Sequence, residues 1–328
     1  MAIFPRFVRD RLTRWKWLLI QRMVNMILYF QRSRFLSPST QPNAVKHQPC
    51  RPQLYPNRIF TPTPFPAGRH KLPLVIQAHG GGFIGNNPAR DDPLCRLIAD
   101  TCQCIAVSID YSKAPTHRFP VAYEDVIALT TSLIDDPTLP VDKSKVVLCG
   151  NSAGGNLVLA AVQDERLRSR VHGVLGLYAV CDAGTLAKEK ALTRPDPNIA
   201  DLLESSYDSI LDIYIGPIPV DRKDPRLSPG RFRTREDLPP NVFLIGAEHD
   251  LFCGEAEQMA EKLAKAVSRQ STDLGWQAGG VVWARVPGQL HGFDQFGTRA
   301  RDEKDRLAKK DLTYRAMCDW LTGMFDEK

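Results

Sequence analysis

An α/β fold with a mostly parallel sheet covered by helices on both faces is what this sequence predicts, and three observations predict it. From residue 73 onward, short apolar runs alternate with helical stretches. The runs are continuous rather than alternating with polar residues, as expected of strands buried on both faces. Two glycine-rich turns follow directly on such runs, at Gly80-Gly81-Gly82 and around Gly150 and Gly154. In open α/β sheets, ligands collect in loops at the carboxyl ends of strands.

The elements follow in order. Over residues 1–36, apolar residues recur at Phe4, Val8, Leu12, Trp15, Leu19, Met23, Met26 and Phe30, a helical stripe. Arginines interrupt the stripe too often for a membrane span, which needs about 20 mostly apolar residues. No apolar core with a small-residue cleavage site follows, so a cleaved leader is not expected. Two readings stay open: a cap helix packed over the domain, or a basic amphipathic helix whose residues 1–35 lie on an anionic membrane surface. Residues 37–72 are crowded with proline, as in Thr61-Pro62-Thr63-Pro64-Phe65-Pro66, and read as a connecting arm with an edge strand. Residues 73–328 form the main domain. Its strands are expected at Leu74–Ala78, Ile105–Ile109, Val146–Cys149, Val174–Leu177, Val242–Ile245 and Val281–Val286. Its helices are expected at Asp92–Thr101, Val121–Leu133, Ala153–Gln163, Glu255–Val267 and Asp305–Met324. The stretch 182–216 breaks this rhythm with helical and proline-rich sequence and is the candidate for an inserted cap.

Composition excludes several classes. The net charge is +6, but Arg6, Arg9, Arg11, Arg14, Lys16, Arg22, Arg32 and Arg34 face only Asp10 in the first segment. The remainder is close to neutral, so no nucleic-acid partner is expected. The eight cysteines form no CxxC pair and no zinc spacing, so no metal is expected; they read as buried thiols of a reducing, cytoplasmic compartment. Cys102 and Cys104 read as one face of a strand. Nothing in the sequence specifies an oligomeric state.

The chemistry concentrates in a few residues. Gly150-Asn151-Ser152-Ala153-Gly154 joins a strand to a helix, and the glycines two residues either side of Ser152 permit the sharp turn that lifts a hydroxyl above the sheet. At average usage such a pattern arises by chance in about one chain of this length in ten, so it needs support. His79-Gly80-Gly81-Gly82 supplies it. Consecutive glycines let backbone amides approach an oxyanion, with Gly81, Gly82 and Ala153 as candidate donors. His79 precedes this loop and reads as structural. A serine needs a base, and His291 follows the last expected strand, where it can reach back across the sheet edge. Asp250, after Val242–Ile245, is the candidate acid that orients the base. Glu248 and Asp224 compete for that place.

These motifs resemble the hormone-sensitive-lipase family of esterases, the third group of the α/β-hydrolase fold, over about residues 73–325. His79-Gly80-Gly81-Gly82-Phe83 is similar to the family's oxyanion motif, and Gly150-Asn151-Ser152-Ala153-Gly154-Gly155-Asn156 to its elbow. Asp110-Tyr111-Ser112-Lys113-Ala114-Pro115 with His117-Arg118-Phe119-Pro120, and Asp224-Pro225-Arg226-Leu227-Ser228-Pro229, resemble two further family segments. Asn151 stands where the family usually has Asp or Thr, and Ser268–Gly280 lengthens the connection between acid and base. The resemblance implies Ser152 as nucleophile, Asp250 as acid and His291 as base, with a cap built from the first helices and the insertion. It implies hydrolysis of small-molecule carboxylic esters without a cofactor. A tailoring deacylase or acyltransferase, an interfacial lipase and a non-catalytic receptor are the competing functions.

Overall fold

The computed structural model describes residues 38–326, apart from 67, 69, 197, 202, 218, 266 and 296–302. The helical stripe of residues 1–36, and with it the reading of a membrane contact, lies outside the described residues.

In chain order the strands begin with β1 (Ala44–Lys46), β2 (Asn57–Phe60), β3 (Leu72–Ala78), β4 (Ile105–Ile109) and β5 (Val141–Asn151). They continue with β6 (Gly173–Leu177), β7 (Asn241–Ala247), β8 (Gln270–Thr272), β9 (Gly275–Ala278) and β10 (Val281–Val286). All ten join one sheet in the order β1-β2-β4-β3-β5-β6-β7-β10-β9-β8. From β4 to β10 the pairings are parallel; the flanking pairs at both edges are antiparallel.

The helices are α1 (Asp92–Cys102), α2 (Val121–Ile134), α3 (Ala153–Ala161), α4 (Glu165–Arg168), α5 (Ala187–Ala191), α6 (Tyr207–Ile215), α7 (Cys253–Ala264) and α8 (Glu303–Asp326). The period-two rule explains why the apolar runs need helices on both sides. In β3, Leu74 and Ile76 enter the core shared with α2, α3 and α7, while Val75 enters the core shared with α1 and α8. The insertion supplies α5 and α6 between β6 and β7, over the carboxyl edge of the sheet.

One expectation is corrected, the placing of Cys102 and Cys104 on one face of a strand. The proline-rich arm carries the edge strand expected of it, and both β1 and β2 extend the sheet. Arg58 of β2 is buried there against Asp92, with two nitrogen–oxygen contacts of 2.5 Å. Ser268–Gly280, which lengthens the connection after α7, folds back as the β8–β9 hairpin alongside β10. Cys102 and Cys104 do not share a strand: Cys102 ends α1, Gln103 turns left-handed at φ 50°, and Cys104 leads into β4. All eight cysteines are free, and all but Cys50 are buried. Among the described residues no helix is long and apolar enough to cross a membrane, and no group of side chains is suited to hold a metal ion.

Candidate active site

The glycines around Ser152 are required by contact as well as by turn geometry. A Cβ on Gly154 would stand 2.1 Å from the Ala78 carbonyl oxygen of β3, and one on Gly150 would stand 2.4 Å from the Gly154 carbonyl oxygen. Only glycine lets the start of α3 pack this closely on two strands. Ser152 itself sits at φ 54°, ψ −120°, a conformation L residues rarely adopt. It is held by its N–H donating to the Leu177 carbonyl at 2.9 Å. Strain of this kind persists only where the surroundings over-determine it.

The strained turn points the Ser152 hydroxyl at His291, with Oγ 2.8 Å from Nε2. The other ring nitrogen, Nδ1, lies 2.9 Å from Oδ2 of Asp250. Asp250 is fully buried, and its Oδ1 accepts the Phe252 N–H at 3.1 Å, which fixes the carboxylate. Burial opposes charge on His291, but the carboxylates around the ring, Asp250 foremost, together outweigh it and raise the imidazole above its ordinary value. With Nδ1–H donating a hydrogen bond to the carboxylate, Nε2 of the neutral ring is left to accept from the serine. The three segments meet because β5, β7 and β10 are parallel and end at the same edge.

Gly80, Gly81 and Gly82 pass over the same spot. The Cα of Gly80 is so near that an added Cβ would meet the Ser152 Cβ at 3.3 Å. Gly81 and Gly82 take φ of 133° and 60°. Among the described residues their amides have no protein acceptor. Ala153, at the first turn of α3, lines the same cavity. His79 is buried beneath this loop. Its Nδ1 donates to the Gly80 carbonyl at 2.7 Å, and its ring stacks on Tyr111 with centroids 4.5 Å apart. Burial and the charge of Lys113 push its pKa below the ordinary value.

The competing acids lie elsewhere. Glu248 accepts the Gly288 N–H at 2.8 Å, and Asp224 pairs with Arg226 at 2.7 Å in its own turn.

Ser152 opens into a cavity of about 230 Å³. The insertion contributes Leu203, Tyr207, Ile210 and Leu211 to its wall, and the body contributes Phe83, Val180 and Phe252. His291 is the one titratable nitrogen in the described lining, which holds no lysine, arginine or carboxylate. Sequence reasoning did not single out Tyr178, which lines this cavity at the carboxyl end of β6. Its place directly after a buried strand was the available signal.

A chain folded this way falls in the class of α/β hydrolases. A family model described as the α/β-hydrolase fold matches residues 75–294, and the chain belongs to that family, in the hormone-sensitive-lipase-like esterase group its motifs resemble. It is similar to the esterase LipI of Mycobacterium tuberculosis, with 29% identity over 219 residues that make up 64% of this chain and 65% of that one. The arylesterase of Saccharolobus solfataricus is 28% identical over 220 residues, which cover 64% of this chain and 67% of the relative. The chain thus spans about two thirds of the length of these relatives. Among solved structures, the Pyrobaculum calidifontis esterase superposes with a TM-score of 0.69 at 24% identity, covering 99% of this chain and 95% of that one.

Proposed function

We propose that the chain is a carboxylic ester hydrolase that works through an acyl-enzyme on Ser152. The carrying observation is the unbroken relay from Ser152 Oγ through His291 to Asp250, opening onto an apolar cavity. Ser152 Oγ attacks the ester carbonyl carbon while its proton passes to His291 Nε2. The carbonyl oxygen gains the negative charge, and the amides of Gly81, Gly82 and Ala153 stabilise it. On collapse, the bond to the alcohol breaks and His291 returns the proton to the departing alkoxide. Water, deprotonated by the same ring, then releases the acid and restores the serine.

The substrate is a small ester with an uncharged, apolar acyl or aryl portion. A cavity of about 230 Å³ sits below the usual 300–1,000 Å³ of ligand pockets, and the lining offers no countercharge. The test is Ser152→Ala against wild type, with fluorophosphonate labelling and turnover on a series of p-nitrophenyl esters of rising acyl length. Labelling should vanish, and turnover should fall by about 10⁴-fold or more. Near-full activity in Ser152→Ala would overturn the proposal, and a preference for long acyl chains would overturn the substrate class.

A further inference from the structure

Beneath the site lies a layer of buried polar side chains that the proposed reaction does not use. Asp294, three residues beyond His291, is buried, and its two carboxylate oxygens accept the Tyr178 hydroxyl at 2.5 Å and the Tyr314 hydroxyl at 2.8 Å. The Tyr178 ring stands edge-on to the His291 imidazole, with centroids 4.7 Å apart and planes at 62°. Its hydroxyl also accepts from Asn151 Nδ2 at 3.5 Å. Asn151, immediately before Ser152, accepts from Gln77 Nε2 at 3.2 Å, and Gln77 donates to Asp91 at 3.1 Å. Asp91 in turn accepts from Gln295 Nε2 at 3.0 Å, and Gln295 adjoins Asp294.

The circuit therefore closes: it ties the loop of the histidine to the elbow of the serine without passing through either reacting side chain. It also accounts for Asn151. An aspartate at 151 would place a third carboxylate between Asp91 and Asp294 and would have no donor for Tyr178. Tyr178 carries a left-handed backbone at φ 39°, with its N–H donating to Ile245 O at 2.6 Å. Such a conformation at a bulky residue requires that its surroundings hold it.

We propose that Asp294 and Tyr178 are positioning residues for His291: Asp294, anchored by two tyrosine hydroxyls, sets the Tyr178 ring against the imidazole and stabilises its positive form, and Asn151 ties this arrangement to the serine. The proposal rests on the reading of His291 as the base. The carboxylates that raise His291 against the effect of burial are Asp250, Asp201 and Asp294. Around Asp294 itself stand Tyr178, Tyr314, Arg306, Arg90 and Asp91. Asp91 is pushed up to about 7, chiefly by burial, with the charge of Asp294 adding to the rise.

The experiment is kcat and KM on p-nitrophenyl butyrate from pH 5 to 9, with melting curves, for wild type, Tyr178→Phe, Asp294→Asn and Asp294→Ala. Tyr178→Phe keeps the ring but loses the tie, and kcat should fall about tenfold with KM changed less than twofold. Asparagine still meets both hydroxyls, one as acceptor and one as donor. Asp294→Asn should therefore keep kcat within about threefold, while Asp294→Ala drops like Tyr178→Phe. With one negative charge gone, the base loses its proton more readily, so the acid limb of Asp294→Asn should move to lower pH by about half a unit. A merely structural role would lower the melting temperatures and leave kcat and the acid limb at wild-type values, and that result overturns the proposal. A wild-type protein that neither turns over the ester nor takes the fluorophosphonate label would overturn the esterase reading itself, whereas an active wild type with unaltered variants overturns only the positioning role.

Discussion

Replacing Lys190 with methionine tests how the inserted segment is held to the body. The Lys190 ammonium, on α5, is buried and donates to the Glu255 carboxylate and to the Asp182 carbonyl. It also lies 4.6 Å from the ring centre of Tyr207 and 4.9 Å from that of Phe252, two of the aromatic side chains of the cavity wall. Glu255, on α7, accepts in addition the N–H groups of Cys181 at 2.7 Å and Asp182 at 3.2 Å. Burial pushes the Glu255 carboxyl above its ordinary value, against the opposing pull of Lys190 and those donors. Without the ammonium the buried carboxylate loses its cation, and breaking a buried pair in this way costs about 3–5 kcal/mol. Uptake of a proton sets a ceiling. At pH 7 it costs about 1.36 kcal/mol for each unit above the ordinary glutamate value near 4.3, or roughly 3.7 kcal/mol. At pH 5 the same ceiling is roughly 1 kcal/mol. In the variant the folded-state pKa of Glu255 lies further above its unfolded value, so the variant matches wild type best below the unfolded value and loses stability as pH rises. At about 2 °C per kcal/mol for a chain of this size, the melting temperature should fall by about 7 °C at pH 7 and about 2 °C at pH 5. Adding Glu255→Gln removes the need for the proton while keeping an acceptor for the two N–H groups, so most of the loss at pH 7 should return. Thermal melts of the two single variants and the double variant at both pH values decide the matter. Equal drops at the two pH values, with no recovery in the double variant, would refute the charge argument.

Gly154→Ala should destabilise by about 3 kcal/mol or more in denaturant unfolding, because the new Cβ meets the backbone of β3, which cannot retreat without breaking the sheet. Gly323→Ala on α8 is the contrast: its Cβ meets nothing within 4 Å, so helix propensity should make it neutral or stabilising by up to about 1 kcal/mol. Asp250→Asn should lower turnover by roughly 10³–10⁴-fold, since an amide cannot hold the productive tautomer of His291. Glu248→Gln should stay within about threefold of wild type in the same ester assay. The pH profile of kcat/KM should show an acid limb above the ordinary histidine value of 6.5, because His291 must be neutral to accept the serine proton and its pKa is raised.

The strands of the parallel core were legible because burial on both faces leaves mostly apolar residues, and Ile105–Ile109 and Val281–Val286 have the bounds their composition predicts. The edge elements were legible only in part: an edge strand was expected in the proline-rich arm, but not its bounds. In β2, Asn57 and Arg58 are buried polar residues, and what makes Arg58 tolerable is Asp92, on another element. In β8 every residue is exposed, so no apolar period marks it. Cys102 misled for a local reason: a single left-handed residue, Gln103, separates the end of a helix from the approach to a strand, and spacing alone cannot register that. The Tyr178–Asp294 contact joins residues 116 apart in the chain, and neither side chain carries a motif of its own.

The same contrast separates the chemistry of the site from its selectivity. A serine forced to φ 54° needs Gly150 and Gly154 beside it, and a backbone that offers free amides needs Gly81 and Gly82. Those requirements are steric and local, so they leave motifs in the sequence. The proposed acid and base are placed by topology: β7 and β10 are neighbouring parallel strands, and the loops that follow them emerge side by side. A carboxylate after one and a histidine after the other can therefore meet without any local signature beyond their order. The cavity wall obeys neither rule. Leu203, Tyr207, Ile210 and Leu211 come from the insertion, Phe252 from the acid loop and Phe83 from the glycine loop, and they become neighbours only once the insertion has packed on the body. The buried Lys190–Glu255 pair sits behind that wall, touching the Tyr207 and Phe252 rings. Its loss should therefore raise KM more than it lowers kcat, because it loosens the part of the site that selects the ester and leaves the Ser152–His291–Asp250 relay in place.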